Sequence, residues 1–415
     1  MTRAFGERPA VYRLMYLGRS SRRIERELGA RLTRLAREGF EVHVLAADDG
    51  GFGALSERGV RCKPLPIGRK ANLAGLIGAF FIVQAYFLEK RPVLVHTFDD
   101  VLPWLGALAA RRAQTEAIFV TVERHAFDDE PLWPGVPGLV ERFLEAAEGP
   151  LRGGMTAAYR RLAEWTDKYC VTNERDFQAL QDGQLVPDRK LEMIIGGAGV
   201  DLGEFDVEDD DFPSVEQARE ELEVPGRWRH VLGHIGHLDG ADGVDELVEA
   251  IEALGRSHPS CGWLIGLEPG ASSGGVRRLE RLEGRGLVRL FERVEQPAHF
   301  YRALDLFAHP GRHPRQASRL MEAAAGAVGA VAFETPAAAS IIEQGQTGAL
   351  VPPADVGAFV EALRSLVDDP NRVKNYGQRA RSRAVRTFNR EHVEGQILRL
   401  YDSLLELRLE GTDDR

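Results

Sequence analysis

Cysteine is scarce in this chain: Cys62, Cys170 and Cys261 are the only three in 415 residues. They are widely separated and form neither a CxxC pair nor a metal-ligand spacing. That argues against a disulfide scaffold and a zinc module, and it fits buried thiols in a reducing compartment. Basic charge is not in excess either. Lys and Arg number 53 against 63 Asp and Glu, a formal net charge of −10, so nucleic acid is not expected as a general partner. The opening residues MTRAFGERPAVYRLMYLG lack the layout of a signal peptide, and a cytoplasmic protein is expected. A long unbroken apolar run is also missing. The nearest, residues 71–91, is interrupted by Asn72 and Gln84, and its apolar part sits at the lower length limit for a span. A buried or surface-lying helix is expected there, with no crossing of a membrane. Internal repeats and low-complexity tracts are absent from the sequence.

What is present is alternation. VYRLMYL (11–17) reads as a strand followed by a helix with Leu28, Leu32 and Leu35 at helical spacing. Residues 40–47, 93–98 and 117–123 read as further strands. A helical tract over 136–166 precedes one more strand at 168–173. Strands separated by helix-length segments predict a parallel, doubly wound sheet. An acidic stretch at 206–228 breaks the pattern and reads as a linker entering one helix. The alternation then restarts at 230–236, 262–268, 287–292, 304–310, 329–334 and 347–353, and a long helical tail follows. At this length two domains are the expectation. We read residues 1–205 as one Rossmann-like domain, 206–228 as the linker, 229–385 as a second Rossmann-like domain, and 386–415 as a helix returning towards the first. Ligand-binding loops gather at the carboxyl ends of parallel strands, so the fold class, two Rossmann-like α/β domains, predicts a cleft between them.

Three segments in order carry a resemblance. They are GFEVHVLA, then KYCVTNERDFQAL with VPDRKLEMIIGGAGVDLGEF, then TGALVPPADVGAFVEAL. Together they resemble the two-domain GT-B glycosyltransferases, in particular glycosyltransferase family 4 and its members that build bacterial capsular and extracellular polysaccharides. The resemblance covers nearly the whole chain. It implies transfer of a sugar from a nucleotide-sugar donor, with retained anomeric configuration and without a metal or other cofactor. The C-terminal domain would hold the donor and the N-terminal domain the acceptor. A sugar nucleotide leaves as a diphosphate, so such a site must neutralise growing negative charge. The family does so with an Arg after a strand, a Lys at the next helix start, and the helix-start dipole.

The sequence departs from that pattern at the site itself. His237 stands at the family Arg and Asp242 at the Lys, where the bare residue reading is a helix N-cap. Pro314 and Ser340 replace family acids, and Ala198 replaces an Asn. Glu322 remains where the family carboxylate binds the ribose. The loop bearing Arg312, His313 and Arg315, with Arg319 beyond it, is a candidate source of the positive charge lost at 237 and 242. Candidate donor-binding residues are therefore Gly18, Gly236, His237, Arg312, Arg315 and Glu322. Gly18 is placed by its position between a strand and a helix. In VERHAF, Glu123 or His125 matches the family's catalytic loop near the reacting centre, the register between them being open. No metal ligands are expected.

Two functions compete. One is an active retaining hexosyl-type transferase serving cell-surface polysaccharide synthesis, acting on a glycan or lipid-linked acceptor. It would be cytoplasmic, at the inner face of the membrane, with peripheral contact through the apolar helix 73–87 beside Lys90 and Arg91. The other is a catalytically silent relative that serves as a partner, regulatory or carbohydrate-binding subunit for another protein.

Overall fold

The computed structural model describes residues 12–67, 72–98, 102–122, 138, 140, 142–144, 154–207, 212–240, 242–268, 271–312 and 317–410. The chain forms two compact units, one of Met1–Ala198 with Glu394–Arg415 and one of Gly199–Val393.

The first unit is built on seven strands: β1 (Arg13–Ser20), β2 (Glu41–Ala47), β3 (Arg61–Pro64), β4 (Leu94–Phe98), β5 (Ala117–Val122), β6 (Lys168–Val171) and β7 (Leu191–Met193). They lie in the order β3-β2-β1-β4-β5-β6-β7, and every pairing is parallel. The central strands are buried on both faces, and this explains their nearly continuous apolar runs. The edge strands β3 and β7 were not legible as strands. RCKP and LEM are short and mixed in polarity, because an edge strand covers little core.

The helix Ser21–Arg37 packs on this sheet with Ile24, Leu28, Arg31, Leu32 and Leu35 buried, and Ser20 caps it by accepting from the Arg23 N–H. The last helix, Arg390–Glu410, delivers Tyr401 to the same core. There Tyr16, Tyr401, His96 and Thr121 form a continuous hydrogen-bonded row. The steps are 3.2 Å from Tyr16 to Tyr401, 2.5 Å to His96 Nδ1, and 2.8 Å from His96 Nε2 to Thr121. Burial, reinforced by the Arg31 charge, pushes the His96 pKa well below its ordinary value, so the ring is neutral.

The apolar helix Leu73–Lys90 starts at Asn72, whose side chain accepts from the Gly75 N–H at 2.8 Å. Leu76, Ala79, Phe80, Val83 and Phe87 are buried, while Phe81 and Leu88 stand 62% and 52% exposed. By length and composition it could cross a membrane, and it is the one such helix among the described residues. It lies on the surface of this unit with one face packed.

The second unit carries six parallel strands: β8 (His230–Gly236), β9 (Cys261–Leu267), β10 (Val288–Phe291), β11 (Leu306–His309), β12 (Gly329–Phe333) and β13 (Gly348–Val351). Their order is β10-β9-β8-β11-β12-β13. The direction of winding reverses between β8 and β11, and at such a switch point the strand-end loops part and leave a crevice.

The domain boundaries need correction. The first division falls after Ala198, and the stretch expected to be a linker belongs to the second unit. Within it the helix Val215–Glu221 opens with a capping box between Ser214 and Gln217. Arg219 fastens that helix to the Ala303 carbonyl and to Asp305, each at 2.9 Å. Asp305 in turn accepts from the Val231 N–H at the start of β8.

Close backbone packing sets this unit's tolerance to substitution. A Cβ on Gly377, in the helix Pro370–Arg383, would run into the Ala327 carbonyl oxygen, whereas one on Gly78 would meet nothing. Gly377→Ala is expected to destabilise the second unit by about 1–3 kcal/mol, read as an earlier urea transition. Gly78→Ala, at an open helical position, is expected to hold or raise stability.

Candidate functional site

At the switch point of the second unit β8 ends on Gly236, and the helix Val244–Ser257 follows. Gly243 is the N-cap residue, with φ +70°, and a Cβ there would strike the Pro310 carbonyl just beyond β11. Only glycine meets both conditions. The helix consequently starts without a side-chain cap, and its dipole is directed at the carboxyl edge of the sheet. The expectation that Asp242 caps this helix is corrected. Its carboxylate turns back into the loop, where Oδ2 accepts from the Leu238 N–H at 2.9 Å.

Asp242 is buried, 3% exposed. Burial, helped by the nearby Asp239 charge, raises its pKa to about 7 against the opposing hydrogen bonds from the His237 and Leu238 backbone. Near neutral pH the group therefore divides between an uncharged acid and a carboxylate. Gly236 is what allows this arrangement. A Cβ on it would lie 2.8 Å from Asp242 Oδ2 and 2.7 Å from His234 Nε2. His234 donates from Nδ1 to the Ala308 carbonyl at 2.9 Å, and burial lowers its pKa to about 4.

Beside this loop lies a half-buried charge network. Glu268 follows β9, and its N–H donates to the Gly236 carbonyl at 2.9 Å. Arg319, on the helix Ala317–Ala325, bridges Glu268 and Glu322, the latter at 2.6 Å. Tyr301 adds its hydroxyl at 3.1 Å from Glu322 Oε2 and the same distance from the Arg319 carbonyl. Burial works against the Arg319 charge, and Glu322, Tyr301 and Glu268 together outweigh it. Arg312 sits over the helix start, giving Nη1 to Glu246 and Nη2 to the Gly240 carbonyl, both at 3.1 Å.

Gly236, His237, Arg312 and Glu322 are thus brought together on one strand-end crevice. His237 is half-buried there, and its carbonyl accepts from the Ser272 N–H at 2.6 Å. Arg315 lies outside the described residues, as do His313, Pro314, Glu123 and His125. Gly18 is corrected. It lies within β1 rather than in a loop after it, and a Cβ there would meet Phe98 Cζ at 2.8 Å and Ile24 at 3.2 Å, so packing accounts for the glycine. At the neighbouring helix start, Asp49 takes hydrogen bonds from Ser20 (2.6 Å), Ser21 (2.8 Å) and the Arg22 N–H (2.9 Å). A side-chain carboxylate from the same unit therefore already fills that position. Ser340 donates to its own helix at the Ala337 carbonyl.

Glu268 and Tyr301 escaped the sequence reading. The available signal was Glu268 directly after a strand, and the Arg319–Glu322 spacing of three on one helix face. Around the crevice the described acids are Asp239, Asp242, Glu246, Glu268 and Glu322, against the cations Arg312 and Arg319. Among the described residues no three of His, Cys, Asp and Glu are grouped to hold a metal ion.

Comparison with known proteins adds two family matches. Residues 229–369 match the model described as glycosyl transferases group 1, and residues 24–197 match a glycosyl transferase 4-like domain. No curated protein matches the chain. Among solved structures, a glycosyltransferase from Rickettsia africae is 16% identical with a TM-score of 0.70, covering 95% of this chain and 99% of its own. Sucrose-phosphate synthase from Thermosynechococcus elongatus is 19% identical with a TM-score of 0.70 over the same shares. Anabaena HepE, solved in complex with UDP-glucose, is 17% identical with a TM-score of 0.71, covering 94% and 99%. At these identities the structural likeness establishes the fold.

The Asp242 shift sets a pH dependence. Its pKa is higher folded than unfolded, 3.8 rising to about 7. Its contribution to stability is therefore complete below pH 4 and is lost as pH rises through 7. Asp242→Asn is expected to remove this loss, a difference of a few kcal/mol between pH 4 and pH 8, measured by denaturant unfolding across that range.

Proposed function

Since the chain belongs to the group 1 and 4-like glycosyl transferases, we propose that it moves a sugar from a nucleotide-sugar donor to a glycan or lipid-linked acceptor. The observation that carries this reading is the uncapped start of the helix Val244–Ser257 at the switch point, with Arg312 lying against it. The Gly243 and Val244 N–H groups already donate to the Gly240 and Asp239 carbonyls, each at 3.3 Å, so the dipole and the N–H groups of the next helical residues are what we assign to a diphosphate, whose charge grows as the glycosidic bond breaks. Arg312 would exchange Glu246 for phosphate oxygens. Both hydrogen bonds to Glu322 fall on Oε2, and Oε1 is the atom we assign to a ribose hydroxyl. A uridine donor carrying a hexose is the first choice, since the similar Anabaena protein was solved with UDP-glucose. The reaction is read as retaining and metal-independent, with the leaving phosphate and the helix start carrying the charge. Cell-surface polysaccharide synthesis on the cytoplasmic side of the membrane fits this donor class.

A second reading has its own observation. The described acids outnumber the cations around the crevice, and Asp242 lies where a diphosphate needs positive charge. Ionised, it would oppose a unit of phosphate charge at 4 Å by about 4 kcal/mol at an effective dielectric of 20. A catalytically silent relative, acting as a partner or carbohydrate-binding subunit, would tolerate that arrangement. Its protonated form removes the conflict, which ties donor binding to pH.

Calorimetric titration with UDP, GDP and ADP separates the two. Binding of one nucleotide is expected, weakening as pH rises from 6 to 8, and Glu322→Ala should reduce affinity at least about tenfold, or 1.4 kcal/mol. Silence with all three nucleotides at pH 6, in protein that unfolds cooperatively, supports the non-catalytic reading. The exposed Phe81 and Leu88 beside Lys90 and Arg91 suit the interface of an anionic bilayer. Co-sedimentation with phosphatidylglycerol vesicles is expected, reduced several-fold in the Phe81→Ser/Leu88→Ser double variant.

A further inference from the structure

His234 occupies a core position on β8. Strand alternation along HVLGHIG sets it on the same face of the sheet as Leu232 and Gly236, and it is 0% exposed. Phe307 stacks on its ring with 6.3 Å between centroids and 11° between planes, and His309 lies at the same centroid distance. Its Nδ1 faces the Ala308 carbonyl at 2.9 Å. A carbonyl only accepts, so Nδ1 carries the hydrogen of the neutral ring and Nε2 keeps a lone pair. Nε2 is buried without a hydrogen-bond partner. An acceptor placed there is in need of a donor.

Gly236 shows which donor is at hand. A Cβ on it would lie 2.7 Å from His234 Nε2 and 2.8 Å from Asp242 Oδ2. The two polar atoms therefore face one point, which the glycine leaves open, and a single oxygen between them reaches both. The Leu238 N–H is already engaged by Asp242 Oδ2, so the hydrogen that Asp242 can offer is its own acid proton. The surrounding charges favour that proton. Asp239 and Glu268 both oppose a charge on Asp242. Burial keeps His234 neutral, and Arg319, on the helix Ala317–Ala325, opposes a charge on its ring. His309, at the end of β11, is kept neutral by burial and by the proximity of His234. The carboxyl is thus the donor of the pair and the imidazole the acceptor.

We propose that His234 is a positioning residue for the Asp242 acid: its Nε2 lone pair receives the hydrogen of that carboxyl across one bridging water and so holds it uncharged at the end of β8. The water accepts from the carboxyl and donates to Nε2, and only hydrogen bonds are made. When the pair loses its proton, a carboxylate faces the seat assigned to the diphosphate. That consequence rests on the transferase reading; the pairing itself does not.

Carboxyl NMR of aspartate-labelled protein, with Asp242→Asn to identify the signal, reads the titration of Asp242 directly. The wild-type midpoint is expected at about pH 7. His234→Asn keeps a donor for the Ala308 carbonyl and has no acceptor at the Nε2 position. Its midpoint is expected about one pH unit lower, the equivalent of one hydrogen bond to the acid form. His234→Gln, whose amide oxygen reaches the Nε2 position, is expected to recover most of that shift. A packing role alone would change stability and leave the midpoint where it is. Should His234→Asn fail to fold, imidazole nitrogen NMR of histidine-labelled wild type decides, with the Nε2 signal expected to follow the Asp242 midpoint while the ring stays neutral. UDP titration over the same range is a separate reading, its weakening expected about one pH unit lower in His234→Asn. Silence with UDP beside a displaced carboxyl midpoint removes the consequence for the donor and supports the pairing. Equal midpoints in wild type and His234→Asn, or an Nε2 signal that ignores the Asp242 titration, overturn the proposal.

Discussion

With no side chain to accommodate, Gly243 allows the helix Val244–Ser257 to start directly beneath the Pro310 carbonyl. Everything else in the crevice is arranged around that close approach. The switch between β8 and β11 opens the sheet edge, and the glycine brings an uncapped helix start into the opening. Asp242, which a conventional helix entry would use as its cap, is released to turn back on the loop. A substituted residue at 243 would face two penalties together, a left-handed backbone and a clash with a carbonyl.

The electrostatics follow from burial more than from the number of charges. Arg319 is a cation wholly engaged by Glu268 and Glu322, so it organises the wall of the crevice without lending it positive potential. Such a network is costly to break on one side, since the remaining half-buried acids would be left uncompensated. Arg312 is different. It is half-buried, and its partners Glu246 and the Gly240 carbonyl lie at the helix start, so an arriving anion competes for it directly. Asp242 adds a proton-dependent element to the same loop. The positive seat expected from the basic segment after β11 is therefore represented among the described residues by one exchangeable arginine and the helix dipole.

The sequence made the fold legible wherever strands are buried on both faces, and β8 was readable to the residue. It failed at β3 and β7, whose edge positions give them no apolar signature, and at 206–228. There the one expected helix is present as Val215–Glu221, and what acidic composition hid is that Arg219 packs it into the second unit. At the site, Glu322 was found through the family resemblance and Arg312 through the basic loop that carries it. Glu268 and Tyr301 could not, because their roles depend on Arg319 folding back between distant segments. Gly18 misled for the opposite reason. A glycine near a strand end resembles a phosphate loop, and only the Phe98 ring packed against it reveals a packing cause. Arg31 was unreadable as a special residue, since an arginine on a helix is ordinarily exposed.

The most direct measurement is a crystal structure of the protein soaked with UDP-glucose at pH 6. The expected result is a diphosphate on the backbone N–H groups at the start of Val244–Ser257, with Arg312 moved from Glu246 onto it and the ribose on Glu322. A nucleotide-free crevice, with Arg312 still on Glu246 and the helix start covered by protein, would contradict it.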